Sequence, residues 1–238
     1  MNEQLSTFRL GGLTFNIGSM VAATVAAAIV LVLVIWLSRN LQVRPSSKRQ
    51  AVLEALINFS NTTTKGSMSD SDAASFKLYG FVLFVLIFVS NQLGLMLQVD
   101  INGVTYVKSP TADPIFTMTL ALFTIALSHY AGVKKLGFGN YFKNTYLEPF
   151  VFWFPLALFE EFSNFLTLGL RLFGVIYAGE ILLKLVGGLA FSHGIVTIIG
   201  LAPIELIWQA FSIFLGAIQA YVFVTLTSVY INGKISAE

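Results

Sequence analysis

Apolar and polar positions divide the chain into long oily runs separated by short charged stretches. Three runs, 17–37, 76–98 and 114–133, carry almost no charge over about 20 residues, the length a helix needs to cross a hydrocarbon core roughly 30 Å thick. Each is predicted as an upright or near-upright transmembrane helix. The first is longer than a typical signal-peptide core and runs into basic residues without an evident cleavage region, so it reads as a retained anchor. Two further runs, 148–188 and 195–232, are much longer and are interrupted by charges. Glu160, Glu161, Arg171, Glu180 and Lys184 lie in one and Glu205 in the other. As a single helix each would measure about 60 Å at 1.5 Å per residue, too long to stand upright. The two are predicted to form a strongly tilted antiparallel hairpin that turns near His193-Gly194.

Shorter patterns fill the intervals. Over 46–60, Val52, Leu53, Leu56 and Ile57 recur at helical spacing while Gln50, Glu54 and Asn58 fall on other faces, which predicts an amphipathic interfacial helix. The polar tract Asn61 to Asp72 reads as a link. Over 99–113, Asn102-Gly103 sits between short β-prone runs and favours a hairpin. The expected fold is therefore an all-α integral membrane protein in one membrane domain, 1–238. It has three near-upright helices, one interfacial helix and a tilted two-helix hairpin.

Composition agrees, with 56% hydrophobic residues against 11% charged. A formal net charge of +2 excludes the basic excess of a nucleic-acid binder. The chain has no cysteine, which removes disulfides, thiolate metal sites and thiol nucleophiles together. No metal or cofactor is expected. Arg39, Arg44, Lys48, Arg49, Lys65 and Lys77 crowd the first long loop and Lys134, Lys135 and Lys143 the third, whereas the second has only Lys108 against Asp100 and Asp113. Because basic loops stay in the cytoplasm, the N-terminus is expected outside and the C-terminus inside.

The long runs carry polar stripes. Glu160, Asn164, Thr167, Arg171, Gly174 and Ala178 recur at steps of three and four along one face, as do Glu205, Gln209, Ser212, Gly216 and Gln219 in the second run. Gly174, Ala178 and Gly216 would allow close helix packing. Glu180 falls on the face opposite Arg171, and Lys184, four residues beyond it, fits a snorkelling partner. An arginine at mid-membrane costs about 2.5 to 3.5 kcal/mol on insertion scales, so intramembrane charges of this kind mark a function. A secondary transporter would also hold such charges but shows repeated halves and broken helices, and no internal repeat is visible. An intramembrane hydrolase needs a nucleophile and base in reach; Ser192 and His193 are adjacent in the turn, and there is no HExxH motif.

Beyond this physical reading, LGLRLFG followed by YAGE, together with the PTAD run, the EEFSNFLT approach and the IQAYVFVTLTSVYI ending, resembles subunit a of F-type ATP synthases. The resemblance covers most of the chain. It implies a non-catalytic stator channel in a bacterial plasma membrane, contacting a c-subunit ring, a b-subunit peripheral stalk and lipid, with protons as cargo. Arg171 matches the family's arginine that faces the ring carboxylates, Glu180 the glutamate of the outer half-channel, and Gln219 the glutamine neighbouring the arginine. Glu160 and Glu161 resemble the acidic residues of the cytoplasmic exit, either of which can be the counterpart. Ser212 stands where some relatives have histidine and Val175 where the family often has asparagine, and Glu205 is a further candidate on the outer path. Pairing Arg171 with Gln219 sets an antiparallel register that brings Glu180 near Ala210, with Gln209 and Ser212 as neighbours. No Walker-type loop is present, so no nucleotide chemistry is expected in this chain.

Overall fold

The computed structural model describes residues 7–10, 13–39, 42, 47–96, 99–101, 104–107, 109–147, 152, 154–190 and 195–236. Among these residues seven α-helices dominate: α1 Ile17–Leu37, α2 Lys48–Lys65, α3 Asp70–Met96, α4 Pro114–Leu136, α5 Phe138–Phe142, α6 Phe154–Ala190 and α7 Ile195–Ile235. Five of them, α1, α3, α4, α6 and α7, are long and apolar enough to cross a membrane. Strands β1 Thr7–Leu10 and β2 Leu13–Asn16 pair antiparallel, as do β3 Val99–Ile101 and β4 Val104–Val107, the second pair with a register shift at Val99/Asp100. The Asn102-Gly103 and His193-Gly194 turns lie outside the described residues.

Local chemistry explains several boundaries. Ser47 caps α2, its Oγ accepting the Gln50 N–H at 3.3 Å. The tract expected as a link is mostly helical, because α2 runs on through Lys65. Inside it Thr63 and Thr64 return their hydroxyls to the carbonyls of Phe59 and Ser60 at 2.9 and 3.0 Å. After a short turn Ser69 receives the Asp72 N–H and α3 begins, six residues before the expected span. Asp113 accepts the Ile115 N–H at 2.9 Å and Pro114 occupies the first turn of α4, where no N–H is required. Pro155 serves α6 in the same way. At about 1.5 Å per residue, α6 and α7, with 37 and 41 residues, each exceed the hydrocarbon thickness.

The chain divides into two compact units. Unit 1 is Met1–Asn40, Val85–Phe116 and Leu172–Ala220; unit 2 is Leu41–Phe84, Thr117–Arg171 and Tyr221–Glu238. Within unit 1, α1 touches the 3₁₀ turn Pro110–Ala112, β2 and β4. Ala26 of α1 is fully buried, whereas Val21, Leu31 and Val32 are exposed, as a lipid-facing span requires. Leu95, Ala112, Ile176 and Leu183 form the apolar centre of this unit, with Trp208 against it.

Unit 2 has a second centre of Met68, Ala73, Ala131, Ile231 and Ile235. Here α2 buries Gln50, Leu53, Ser60 and Thr64 and exposes Val52. Its buried stripe is thus more polar than the hydrophobic pattern predicts. The small Ser60 and Thr64 side chains lie beside Gly80 of α3, while Phe59 meets Phe84 and Tyr221 at 5.2 and 5.7 Å between ring centres. Ten of the chain's 14 Lys and Arg fall in unit 2 by sequence position; only Arg9, Arg39, Lys108 and Lys184 belong to unit 1.

Candidate functional site

In unit 1 a buried carboxylate is held by backbone. Glu180 is 3% exposed, and its Oε1 accepts the Ser109 N–H at 2.9 Å. Ser109 stands just before Pro110, so the chain there is extended and its N–H is available to a side chain. Its hydroxyl donates to the Ser90 carbonyl at 2.9 Å and meets Thr111 Oγ1 at 2.7 Å. Thr111 in turn donates to Asn91 Oδ1 at 2.6 Å, and Asn91 Nδ2 donates to the Gly216 carbonyl at 2.8 Å. A continuous polar chain therefore runs from Glu180 on α6 to Gly216 on α7. Two close approaches permit it. A Cβ on Gly94 would fall 2.0 Å from the Ser109 Cβ, and one on Gly216 would lie 3.2 Å from the Asn91 Cβ.

Further along α7, Gln92 donates to the Ile213 carbonyl at 3.1 Å and Gln209 donates to the Leu95 carbonyl. Trp208 Nε1 lies 3.4 Å from the Gly179 carbonyl. A cavity of about 310 Å³ opens here, lined by Gly174, Val175, Ala178, Trp208 and Ser212 among others. Ser212 is 2% exposed, and its hydroxyl has no hydrogen-bond partner among the described residues. Glu180, which the register placed beside Ser212, does not line this cavity; its carboxylate accepts the Ser109 N–H. Glu205 is half-buried, with its Oε1 beside Gly187, and Gln219 is buried.

In unit 2 the carboxylates separate. Glu160 is exposed, whereas Glu161 is half-buried, with Oε1 on the Lys234 ammonium and Oε2 3.4 Å from His129 Nε2. The other ring nitrogen of His129 meets the Tyr141 hydroxyl. Burial, reinforced by the neighbouring Tyr146 and the Glu161 charge, pushes the Tyr141 phenol well above its ordinary range, so the phenol keeps its proton.

Arg171 ends unit 2's share of α6. It is exposed, and among the described residues it forms no ion pair; the group that registers its charge is the Tyr230 phenol. Thr167, Gly174 and Ala178 are exposed as well, so the predicted stripe lies on the outside of this chain. Gly174 and Ala178 were expected to pack against a neighbouring helix. Within this chain Gly174 has open space where a Cβ would stand, whereas a Cβ on Gly216 would lie 3.2 Å from the Asn91 Cβ. Sequence reasoning missed Asn91, Ser109, Thr111, Gly94, His129, Tyr141 and Lys234; Ser192 and His193 lie outside the described residues.

Among the described residues, seven helices, five of them fit to cross a membrane, with an arginine and several carboxylates along the two longest, define a multi-pass membrane protein with ionisable groups inside its spans. The family described as ATP synthase A chain matches residues 20–232. ATP synthase subunit a of Pediococcus pentosaceus is 54% identical over 236 residues, 99% of each chain, and that of Limosilactobacillus fermentum 54% over 238 residues, all of both chains. The Listeria monocytogenes protein of the same name is 45% identical over 239 residues, again over the full length of both. The chain belongs to the ATP synthase A chain family, whose sphere is ATP synthesis and ion transport.

Proposed function

We propose that this chain is the proton-conducting stator subunit of a bacterial F-type ATP synthase. The observation that carries the reading is Arg171: a permanent cation on an apolar helix, exposed, without an ion-pair partner among the described residues, and continued along its face by the small exposed Gly174 and Ala178. Such a stripe suits a partner that approaches closely and brings its own negative charge. A ring of c subunits, each with a membrane carboxylate, fits both requirements.

The mechanism follows from charge. Protons enter from outside by way of Glu180, with Ser212, Glu205 and Gln219 beside the path, and neutralise a ring carboxylate. A neutral carboxyl can turn into lipid, whereas an ionised one is held at Arg171. The arginine keeps its charge at physiological pH, so it cannot pass a proton and keeps the two half-channels apart. Release occurs on the inner side, where Glu160 and Glu161 lie. Each charge crossing 100 mV supplies about 2.3 kcal/mol, so several are needed for each demanding synthesis step. The tilt of α6 and α7, their lengths exceeding the bilayer, would spread the path across the ring surface. The excess of Lys and Arg in unit 2 supports an inner location for its loops, with the N-terminus outside and the C-terminus in the cytoplasm. A b-subunit stalk would hold the chain against the ring's torque.

The test is purification of the intact complex. Copurification with a small oligomeric ring protein, together with ATP-driven acidification of reconstituted vesicles, is the expected result. A chain that purifies alone and transports a solute by itself would contradict the reading.

A further inference from the structure

The inner end of unit 2 contains three residues to which the resemblance gives no role: His129 of α4, Tyr141 of α5 and Lys234 in the last turn of α7, gathered around Glu161 of α6. Every polar atom that matters in this cluster has a partner. Both carboxylate oxygens of Glu161 are engaged, one by Lys234 and one by His129, and both imidazole nitrogens are engaged, one by Glu161 and one by Tyr141. The Glu161 and Lys234 side chains are 15% and 16% exposed, and that of His129 is 28% exposed, so the imidazole keeps the most contact with water.

The cluster's proton inventory singles out one member. Glu161 and Lys234 form a charge-balanced pair, and neutralising either would leave the other's charge half-buried and unpaired. Tyr141 holds its hydrogen because burial raises its phenol. The imidazole alone has a good arrangement in both states. When neutral, its Nε2–H points to Glu161 and its Nδ1 accepts the Tyr141 O–H; when cationic, both nitrogens donate and the Tyr141 oxygen accepts. The other groups facing the cluster are the Tyr146 phenol, which registers the Glu161 charge, and Tyr230 of α7, which registers both Glu161 and Arg171. On α3 and α4, Asp72 and Lys135 satisfy each other at 2.8 Å.

We propose that His129 is a proton-exchanging residue of the release path, with its ring positioned by Tyr141 and Glu161. The proposal rests on the stator reading for which end releases protons. In the step itself, a proton carried by a carboxylic acid or a hydronium ion bonds to Nδ1, its former O–H bond breaks, and the Tyr141 hydroxyl rotates from donor to acceptor. Loss of that proton to the inner water reverses the sequence. Lys234 acts through Glu161, which it keeps in place as the acceptor that orients Nε2–H.

The test is proton conduction through the intact membrane sector in vesicles, read against inner pH from about 6 to 8, for wild type, His129→Gln, Tyr141→Phe and Arg171→Ala. His129→Gln is expected to slow conduction about a hundredfold, the low end of what a positioned proton-transfer group contributes, and to flatten the dependence on inner pH. Tyr141→Phe keeps the ring but removes the hydroxyl, and should move the midpoint of the profile while sparing its maximum. A merely structural role for the cluster would move neither midpoint nor slope. Wild-type rate and profile in His129→Gln overturn the proposal; if that variant fails to assemble, an unmoved midpoint in Tyr141→Phe overturns it. Arg171→Ala separates the two ideas. A defective Arg171→Ala beside a normal His129→Gln sinks the His129 role alone, whereas normal ATP-driven transport in Arg171→Ala removes both.

Discussion

The backbone N–H of Ser109 donates to Glu180 across 2.9 Å, joining residues 71 apart in sequence and fixing a carboxylate that is almost wholly buried. A side-chain amide oxygen can also accept that bond, though more weakly than a carboxylate. Glu180→Gln should therefore fold and assemble normally, yet it has no proton to exchange. Passive proton conductance is expected to fall by about a hundredfold, the scale of a lost proton-transfer group, and Glu180→Asp should fall less and change its pH dependence. Near-normal conductance in both Glu180→Gln and the Glu180→Gln/Glu205→Gln double variant would remove Glu180 from the path.

Gly94 and Gly174 make a contrasting pair. A methyl group on Gly94 collides with Ser109, whereas one on Gly174 meets nothing in this chain. Gly94→Ala should cost about 1 to 3 kcal/mol by overpacking and displace the donor to Glu180. Gly174→Ala should not lower the chain's thermal unfolding, and by relieving glycine's helix penalty should raise it slightly, while weakening its coupling to the ring. Equal effects of the two on unfolding of the isolated subunit would contradict the exposed placement of Gly174.

Asn91 spans two partners, Thr111 and the Gly216 carbonyl, in a fully buried position. Asn91→Leu fills the volume but strands both partners, at a cost of about 1 to 3 kcal/mol for each buried group left unsatisfied. A lowered denaturation midpoint in detergent is the expected readout, and an unchanged midpoint would show that water replaces the bridge.

The packing of α6 on α7 in unit 1 can be read chemically. A Cβ at Gly179 would lie 3.9 Å from the Ser212 Cβ, inside the roughly 3.5 to 4.5 Å range of disulfides. Because the chain has no native cysteine, Gly179→Cys/Ser212→Cys offers a clean test. Oxidation should close this pair efficiently and leave a Gly179→Cys/Glu205→Cys pair open; the reverse would refute the register.

Much of this was visible in the sequence because a bilayer imposes strong patterns. The long apolar runs could be seen directly, and Arg171 and Glu180 stood out because charge is costly there. Their assignment to different faces was readable from helical periodicity, and the structure exposes one and buries the other. Ser109, Thr111 and Asn91 could not be read, since each is an ordinary polar residue until tertiary packing aligns them. His129 carried no signal in the sequence because its partners, Tyr141 and Glu161, sit on other elements. The β1–β2 hairpin left a weak signal, Gly11-Gly12 between Thr- and Phe-containing runs, that the stronger apolar run after it concealed. The spread of α2 past its expected end depended on threonine hydroxyls returning to the helix backbone, which residue type alone does not reveal.

The central claim is that the Arg171 cation divides two proton paths, and ATP-driven acidification of vesicles carrying the intact complex with Arg171→Ala tests it most directly. Assembly should survive, because Arg171 is exposed and forms no ion pair among the described residues, while acidification should be abolished. Acidification at the wild-type rate would contradict the account.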